Sequence, residues 1–321
     1  MALYLVTGGA GFIGSHLVEA LVARGDRARV LDDHSTSGGW GNLAGFDTGD
    51  VGSGAAVELV EGSVTDAALV RHVAEGVRGA FHEAAQVSVP LSVEKPARSL
   101  EVNVGGTINV LEALREVGGR LVFAASSAAY GDGEELPKRE DLPVRPLSPY
   151  AVGKVAGEQL LSAYAKLHGT HTTALRYFNV YGPRQADDSP YTGVIAIFAR
   201  RLLAGEPITI HGDGQQSRDF TFVTDVVRAN LAAMDGDHPA GRVYNVGAGG
   251  RISVERLYRE LAALVGVTAE PTFGPDRAGD VKHSCAAVDR IRADLGYEAQ
   301  VPFEQGLRTT FDWYRERFAA R

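Results

Sequence analysis

Tyr150 and Lys154 stand one helical turn apart in Tyr150-Ala151-Val152-Gly153-Lys154. A phenol, with an ordinary pKa of about 10, is a poor base at neutral pH. An ammonium held beside it favours the phenolate and lowers that value. By itself such a pair is commonly a solvated helix face. What makes it a candidate acid–base group is Ala124-Ala125-Ser126-Ser127, which closes an apolar run upstream. Active groups of open α/β sheets gather at strand ends of this kind. A hydroxyl at Ser126 can there bond both a substrate oxygen and the tyrosine.

A second chemical signal opens the chain. Thr7-Gly8-Gly9-Ala10-Gly11-Phe12-Ile13-Gly14 follows an apolar strand and leads into a helical pattern. Glycines permit the tight turn and let backbone N–H groups approach a pyrophosphate at the helix N-terminus. Leu31-Asp32-Asp33 ends the next strand, with Asp32 18 residues past Gly14. A carboxylate there accepts from the ribose hydroxyls of an adenosine and repels a 2′-phosphate. No arginine immediately follows, so the pattern points to NAD rather than NADP. An oxidised nicotinamide would add its positive charge to that of Lys154 in lowering the phenol.

These groups need a scaffold. Short β-branched or apolar runs at 3–7, 29–32, 57–61, 79–83, 120–125 and 172–178 alternate with helical patterns at 13–24, 67–75, 97–117 and 150–167. That alternation predicts an α/β fold built on a Rossmann-type doubly wound parallel sheet. Val152, Val155, Ala156, Gln159 and Leu160 keep helical spacing around the Tyr150/Lys154 pair. After Phe178 the rhythm breaks. A loop at 181–191 precedes a helix at 194–203, a strand at 207–211 and a turn at Gly212–Gly214. The stretches 223–234 and 242–246 read as a return to the nucleotide unit, and 254–265 with the segment from Phe303 as its smaller companion. The expected division is an NAD-binding domain of residues 1–177 plus about 220–247. A smaller C-terminal α/β substrate domain takes about 178–219 plus 248–321.

The 321 residues carry a formal net charge of −8, which disfavours nucleic acid and anionic membranes as partners. No apolar run reaches the length of about 18 residues that spans a bilayer, and no targeting segment is read at the start. The single cysteine, Cys285, excludes an internal disulfide and fits a reducing, cytoplasmic setting. No metal site is expected.

Further motifs accompany these: His82-Glu83-Ala84-Ala85-Gln86, Asn103, Ser126 to Gly131, Arg176-Tyr177-Phe178-Asn179, Gly212-Asp213-Gly214, Arg218-Asp219-Phe220 and Arg277-Ala278-Gly279-Asp280. Together with the glycine run and Tyr150/Lys154 they span nearly the whole chain. The chain resembles the extended short-chain dehydrogenase/reductase family in its UDP-glucose 4-epimerase branch. That resemblance implies Ser126, Tyr150 and Lys154 as the catalytic set and a tightly held NAD. It also implies a UDP-sugar substrate and a homodimer packed through residues 97–117 and 150–167.

Carried over by position, the resemblance assigns cofactor contacts to Gly8, Gly11, Phe12, Ile13, Gly14, Asp32, Asp33, Ser63, Val64, Ala84, Ala85, Gln86, Asn103, Ala124, Tyr150, Lys154, Tyr177 and Val180. Contacts to the nucleotide diphosphate-sugar fall to Ser126, Ser127, Phe178, Asn179, Val194, Thr209, His211, Gln216, Arg218, Arg277, Asp280 and Ser284. Two arginine forks suit a diphosphate on physical grounds as well. His82 reads as structural beside the cofactor.

Three departures stand out. Ser63 replaces an aspartate common for adenine, the 34–53 loop is long and glycine-rich, and Ser284 takes the place of a large aromatic that narrows some sugar pockets. The last suggests room for a 2-acetamido group. Dehydrating relatives carry an Asp-Glu pair after the catalytic hydroxyl and decarboxylating ones a glutamate, whereas this chain has Ser127 and Ala128. Oxidation followed by re-reduction at C4 of a UDP-hexose is therefore the expected reaction. A UDP-glucuronic acid or UDP-N-acetylglucosamine 4-epimerase and a net nucleotide-sugar dehydrogenase are the alternatives of the same fold. A non-catalytic NAD-binding regulator is the alternative of another class.

Overall fold

Strands that are apolar on both faces must be covered by helices on both sides. A computed structural model, describing residues 1–36, 38–186, 193–275 and 281–319, shows how this chain does so. It begins β1 (Leu3–Thr7), α1 (Phe12–Ala23), β2 (Arg27–Asp32), β3 (Thr48–Gly49), β4 (Val57–Glu61), α2 (Ala67–Ala74) and β5 (Gly79–His82). It continues α3 (Val89–Glu94), α4 (Pro96–Leu100), α5 (Gly106–Val117), β6 (Arg120–Ser126), α6 (Pro149–His168), β7 (Thr172–Tyr177), β8 (Asn179–Tyr181), α7 (Val194–Leu203) and β9 (Thr209–His211). Last come β10 (Ser217–Arg218), β11 (Phe220–Phe222), α8 (Val223–Asp235), β12 (Arg242–Val246), β13 (Ile252–Ser253), α9 (Val254–Val265), β14 (Thr272–Gly274), α10 (Asp289–Leu295) and α11 (Phe303–Ala319).

Eight strands pair in the order β12-β7-β6-β5-β1-β2-β4-β3, each pair parallel. The chain starts at β1, winds outward through β2 and β4, and then crosses back to β5. The reversal opens a crevice between β1 and β5 at the carboxyl ends of the strands, which is where such sheets bind ligands. Tyr4 and Val6 face one core with Leu17 and Leu21 of α1 and Val226 and Ala229 of α8. Leu5 and Leu31 face the other, with Val70 and Val73 of α2, Leu111 and Leu114 of α5 and Leu161 of α6. Period-2 alternation along β1 thus supplies both layers.

A third core gathers Ile195, Phe198 and Leu202 of α7, Leu257 and Leu261 of α9, and Leu307 and Phe311 of α11 around Tyr181, Phe220 and Phe222. Ile291 of α10 and Tyr297 pack instead in the first core, beside β12. Among the described residues no helix is long and apolar enough to cross a membrane.

The elements follow the periodicity closely, and the differences have local causes. The expected helix over 97–117 is divided. Pro96 opens α4, and a π-helical turn at Glu101–Gly105 separates α4 from α5. An extra residue in the turn displaces the ladder, as such bulges do near functional sites. The expected strand at 207–211 begins only at Thr209, since Pro207 has no N–H for the ladder. Within the 34–53 loop a 3₁₀ turn (Trp40–Leu43) and the short β3 appear, and β3 pairs with the outer edge of β4.

Candidate active site

Helix α6 brings the phenol and the ammonium to the sheet edge. Ser148 caps it, its Oγ accepting from Ala151 N at 3.2 Å, and Pro149 sits in the first turn. Tyr150 therefore lies in a turn whose start is fixed. Lower on the helix, Glu158 and Arg176 of β7 make a buried two-pronged ion pair at 2.8 and 2.7 Å. The guanidinium also stacks on Tyr130 at 4.6 Å. The helix is thereby held to the strand that carries Tyr177.

Lys154 is buried, 3% exposed, and its Nζ donates to Ala124 O of β6 at 2.6 Å. The same cation lies 4.9 Å from the Phe123 ring centre and 5.9 Å from that of Tyr150. Burial pulls its pKa down to about 8, against the pull of the Glu83 and Glu158 carboxylates in the other direction. Ser126, the last residue of β6, lies beside the Tyr150 phenol. Its phenol is raised by burial first, lowered by Ser126, and raised again by Glu83. Proximity of a lysine in sequence suggested a lowered phenol. The finding is the reverse, because Nζ is turned to the Ala124 carbonyl and burial dominates. A further positive charge in the pocket is what would bring the phenol down.

The glycine run builds a cradle. Gly8 has φ +70°, and a Cβ there would stand 2.7 Å from Ala84 N. A Cβ on Gly14 would run into Gly8 O. Only backbone fits at these crossings, so main chain lines the crevice. Gly11 precedes α1 without a side-chain cap, and the first turn holds no acid. The N–H groups of Phe12, Ile13 and Gly14 lack intrahelical partners by helix geometry and carry the positive end of the dipole. Asp32, nearly buried at the end of β2, accepts from Ala10 N at 3.0 Å and His34 N at 2.9 Å. An uncapped helix start beside a fixed carboxylate fits the pyrophosphate and ribose of a dinucleotide.

The other residues expected to contact a cofactor differ in exposure and surroundings. Ala84, Ala85 and Gln86 are half-exposed past β5. Asn103, in the π turn, accepts from Gln86 N at 2.8 Å and donates to Gln86 O at 3.1 Å, which pins that loop. Val64 packs on Gly106, and Ser63 Oγ accepts from Thr65 Oγ1 at 3.0 Å. Ser126 pairs in register with Tyr177. Asp33 faces out, its carboxylate taken by Ser35 Oγ at 2.6 Å, and Val180 packs on the first core.

The residues expected to contact substrate include a strip along β9, β10 and their neighbours. Gln216 Nε2 donates to His211 O at 2.6 Å, and Thr209 Oγ1 meets Thr272 Oγ1 at 2.9 Å. Arg218 Nη1 donates to Ser217 O at 3.0 Å, and Ser284 N to Ser217 O at 3.0 Å, so Arg218 and Ser284 flank one strand. Asn179 is exposed at the start of β8, while Phe178 is buried with Tyr130 and Ala286. Val194 opens α7 against the third core, and Ser127 begins a 3₁₀ turn at the sheet edge. Arg277 and Asp280 lie outside the described residues.

Several working residues carry no local sequence signal beyond their motif. Asp219, wholly buried, accepts from Ala248 N, Gly249 N and Ala286 N at 2.8, 3.1 and 2.9 Å, and so ties the strip together. Burial raises its carboxyl to about 6. His82 is buried among Thr7 Oγ1, 2.7 Å from Nδ1, and Thr107 Oγ1, 3.1 Å from Nε2. Thr107 donates to Asn103 O at 2.7 Å, so His82 must donate from Nε2 and accept at Nδ1. Burial, assisted by Lys154, holds its pKa down to about 3. Among the described residues no cluster of metal-ligating side chains occurs.

Residues 4–247 match the model of the "NAD dependent epimerase/dehydratase family". A UDP-glucose 4-epimerase of Mycolicibacterium smegmatis is 42% identical over 316 residues, 98% of this chain and 98% of that protein. A crystal structure of Thermus thermophilus UDP-glucose 4-epimerase in complex with NAD aligns with a TM-score of 0.84 at 38% identity, over 98% of this chain and 99% of that one. A UDP-N-acetylglucosamine 4-epimerase of Methanobrevibacter ruminantium, in complex with UDP-N-acetylmuramic acid, gives 0.91 at 32%, with coverage of 98% and 99%.

The buried neutral histidine has a measurable consequence. An unfolded histidine titrates near about 6.5, so the unfolded chain takes up the proton that His82 refuses until about 3. Stability from this group is complete above about pH 6.5 and is lost progressively below it, at about 1.4 kcal/mol per pH unit. Urea unfolding at pH 6.5 and 5 should show the wild type losing about 2 kcal/mol more than His82→Gln. Parallel losses in the two proteins would mean that His82 is not held neutral.

Proposed function

The chain belongs to the NAD dependent epimerase/dehydratase family, and we propose that within it the protein interconverts a UDP-hexose with its C4 epimer through a transient 4-keto sugar. One observation carries the choice of reaction. The sheet edge that presents Ser126, Tyr150 and Lys154 continues into Ser127 and Ala128, which offer no acid–base group. Eliminating water or losing a carboxyl calls for a further group at the reacting carbons. Returning what was taken from C4 does not.

NAD held in the crevice would supply the hydride transfer from and back to C4. The protein supplies the proton and the geometry. Tyr150, bridged by Ser126, takes the proton of the 4-hydroxyl and later returns it. Lys154, fixed by Ala124 O, keeps a positive charge under the phenol. Gly8, Gly11 and the first turn of α1 hold the dinucleotide, with Asp32 on its ribose. Arg218, together with Arg277, anchors the diphosphate while the sugar turns over. His211 and Gln216 take the uridine side. The two sequence units meet at this crevice, the first around the parallel sheet and the second around the α7–α9–α11 core.

Incubating the protein with a panel of UDP-sugars and resolving C4 epimers tests the reading. UDP-glucose and UDP-galactose should interconvert with no net consumption of cofactor, and Tyr150→Phe should lower turnover by about 10²–10⁴-fold with binding nearly intact. Near-normal turnover in that variant would move the proton transfer to another group.

The acetamido series is the second reading, supported by the half-buried Ser284 beside Arg218. A UDP-N-acetylglucosamine 4-epimerase is also among the structural neighbours. If Ser284 borders the sugar's C2 side, UDP-N-acetylglucosamine is epimerised at a rate comparable with UDP-glucose. Ser284→Tyr then suppresses only the larger substrate, since overpacking costs about 1–3 kcal/mol. Equal slowing of both substrates would remove Ser284 from specificity.

A second copy of the chain is the proposed partner. Leu100, Ile108 and Val152, on α4, α5 and α6, are 36, 37 and 44% exposed, an apolar group on the helices expected to pair. Light scattering should report a dimer for the wild type and a monomer for the double variant Ile108→Glu/Val152→Glu. A wild-type monomer would refute the pairing.

A further inference from the structure

Glu83 is a carboxylate at the mouth of the crevice to which the reaction above gives no task. It follows His82 at the carboxyl end of β5, its N–H donating to Thr7 O at 3.1 Å, and it is half-buried. His82 pairs with Phe123 of β6, so Glu83 lies at the level of Ala124, the residue whose carbonyl receives Lys154 Nζ. Two elements turn polar groups toward this one carboxylate. From β7 comes the Tyr177 hydroxyl, 2.8 Å from Oε1, and from α6 comes the charge of Lys154, while Glu83 in turn acts on the Tyr150 phenol. Its neighbour on β5, His82, is neutral.

The hydrogens along this chain can be ordered. Asn230 of α8 spends both amide hydrogens, on Tyr177 Oη at 2.7 Å and on Val226 O at 2.9 Å. Tyr177 has a single proton, and with its oxygen already accepting from Nδ2 that proton points to Glu83 rather than to Asn230 Oδ1. Glu83 is thus offered a donor it can use best as an anion. Asn230 is fully buried and Tyr177 7% exposed, so the arrangement is set by the core and not by solvent.

We propose that Glu83 is a positioning residue of the acid–base site, a fixed counter-charge, oriented by Tyr177 and Asn230, that keeps Lys154 an ammonium and sets how readily Tyr150 gives up its proton. The inference rests on Tyr150 and Lys154 being the acid–base pair. Charge balance gives it a physical purpose. Lys154 and an oxidised nicotinamide bring two positive charges into one crevice, and the Tyr150 phenolate answers only one of them. Glu83 answers the other, so that neither cation meets an uncompensated like charge. Glu158 acts on Lys154 from the far side, but its two oxygens are already engaged by Arg176. Burial raises the Glu83 carboxyl to about 7 against the Tyr177 hydrogen bond and Lys154, which places its charge within reach of neutral pH.

The signs follow from the geometry. An anion near Tyr150 disfavours the phenolate, and an anion near Lys154 favours the ammonium, so Glu83 raises both proton affinities. Glu83→Gln keeps an acceptor for Tyr177 and removes the charge. In the purified protein with its cofactor, the pH profile of kcat should move acidward by about one unit. Titration of the Tyr150 phenolate absorbance, with the corresponding Tyr150→Phe protein as the blank, should move by a similar amount. Tyr177→Phe, which leaves the carboxylate without its donor and more easily protonated, should move both in the same direction and serves where Glu83→Gln does not fold. A profile lowered in height with its pH midpoints unmoved would overturn the proposal and leave Glu83 a packing residue. The phenolate titration needs no turnover. A shift there in a protein that epimerises nothing would keep Glu83's role and discard the reaction instead.

Discussion

An ammonium taken out of water costs several kcal/mol unless carbonyls, rings and carboxylates replace its hydration, and at Lys154 the fold supplies all three. Ala124 O receives Nζ, the Phe123 face lies under it, and Glu83 and Glu158 provide negative charge from two sides. The partners come from three elements. The carbonyl and ring come from β6, one carboxylate from the end of β5, and the other from α6 itself, where Arg176 of β7 fixes it. The relative placement of these strands and this helix is therefore not free to drift. If α6 slid along the sheet by a residue, the cation would lose its carbonyl and its ring together. Holding one charge dry ties the central strands to the catalytic helix.

A second buried chain does the same for the cofactor side. Thr7, His82, Thr107 and Asn103 are joined by hydrogen bonds whose direction is settled by the last of them, because a threonine hydroxyl has one proton to give. Thr7 immediately precedes the glycine turn, and Asn103 grips the Gln86 backbone. The chain thus connects the strand that launches the cradle to the loop that faces it. The π turn becomes intelligible in this light. A regular helix through residues 101–105 would rotate Asn103 away from Gln86, and the bulge restores that contact at the expense of ladder regularity.

Much of this was legible in the amino-acid order. The strands β1, β4 and β12 and the helices α7 and α9 coincide with their expected bounds, because buried parallel strands and amphipathic helices write period and polarity directly into sequence. Ser126, Tyr150 and Lys154 were legible because their spacing has few other uses once a strand end precedes them. What escaped has physical reasons too. Short strands such as β8, β10, β11 and β13 are held by partners far along the chain, and two or three residues carry no period. Glu83, Asp219, Arg176 and Asn230 gain their roles only when distant segments meet, since nothing near Asn230 announces a tyrosine 53 residues away. The sign of the Tyr150 shift was misjudged for the same reason. Sequence proximity to a lysine says nothing about where its Nζ points.

The two sides of the crevice are held together in different ways. The groups proposed to move protons are fastened to the central sheet by buried charge and ordered hydroxyls, where an error of an ångström would be costly. The groups proposed to face the sugar and nucleotide lie on short strands and loops gathered by Asp219, a single buried carboxylate that accepts three backbone N–H groups. Its hold is on the main chain and not on the side chains of Arg218 and Ser284. Substitutions there can reshape the sugar pocket without disturbing the carboxylate that organises it. The chemistry at C4 is the same for a hexose with or without an acetamido group, so the fold can keep the proton-transfer edge constant and vary the strip. A specificity change that instead required moving Lys154 would have to rebuild β5, β6 and α6 together.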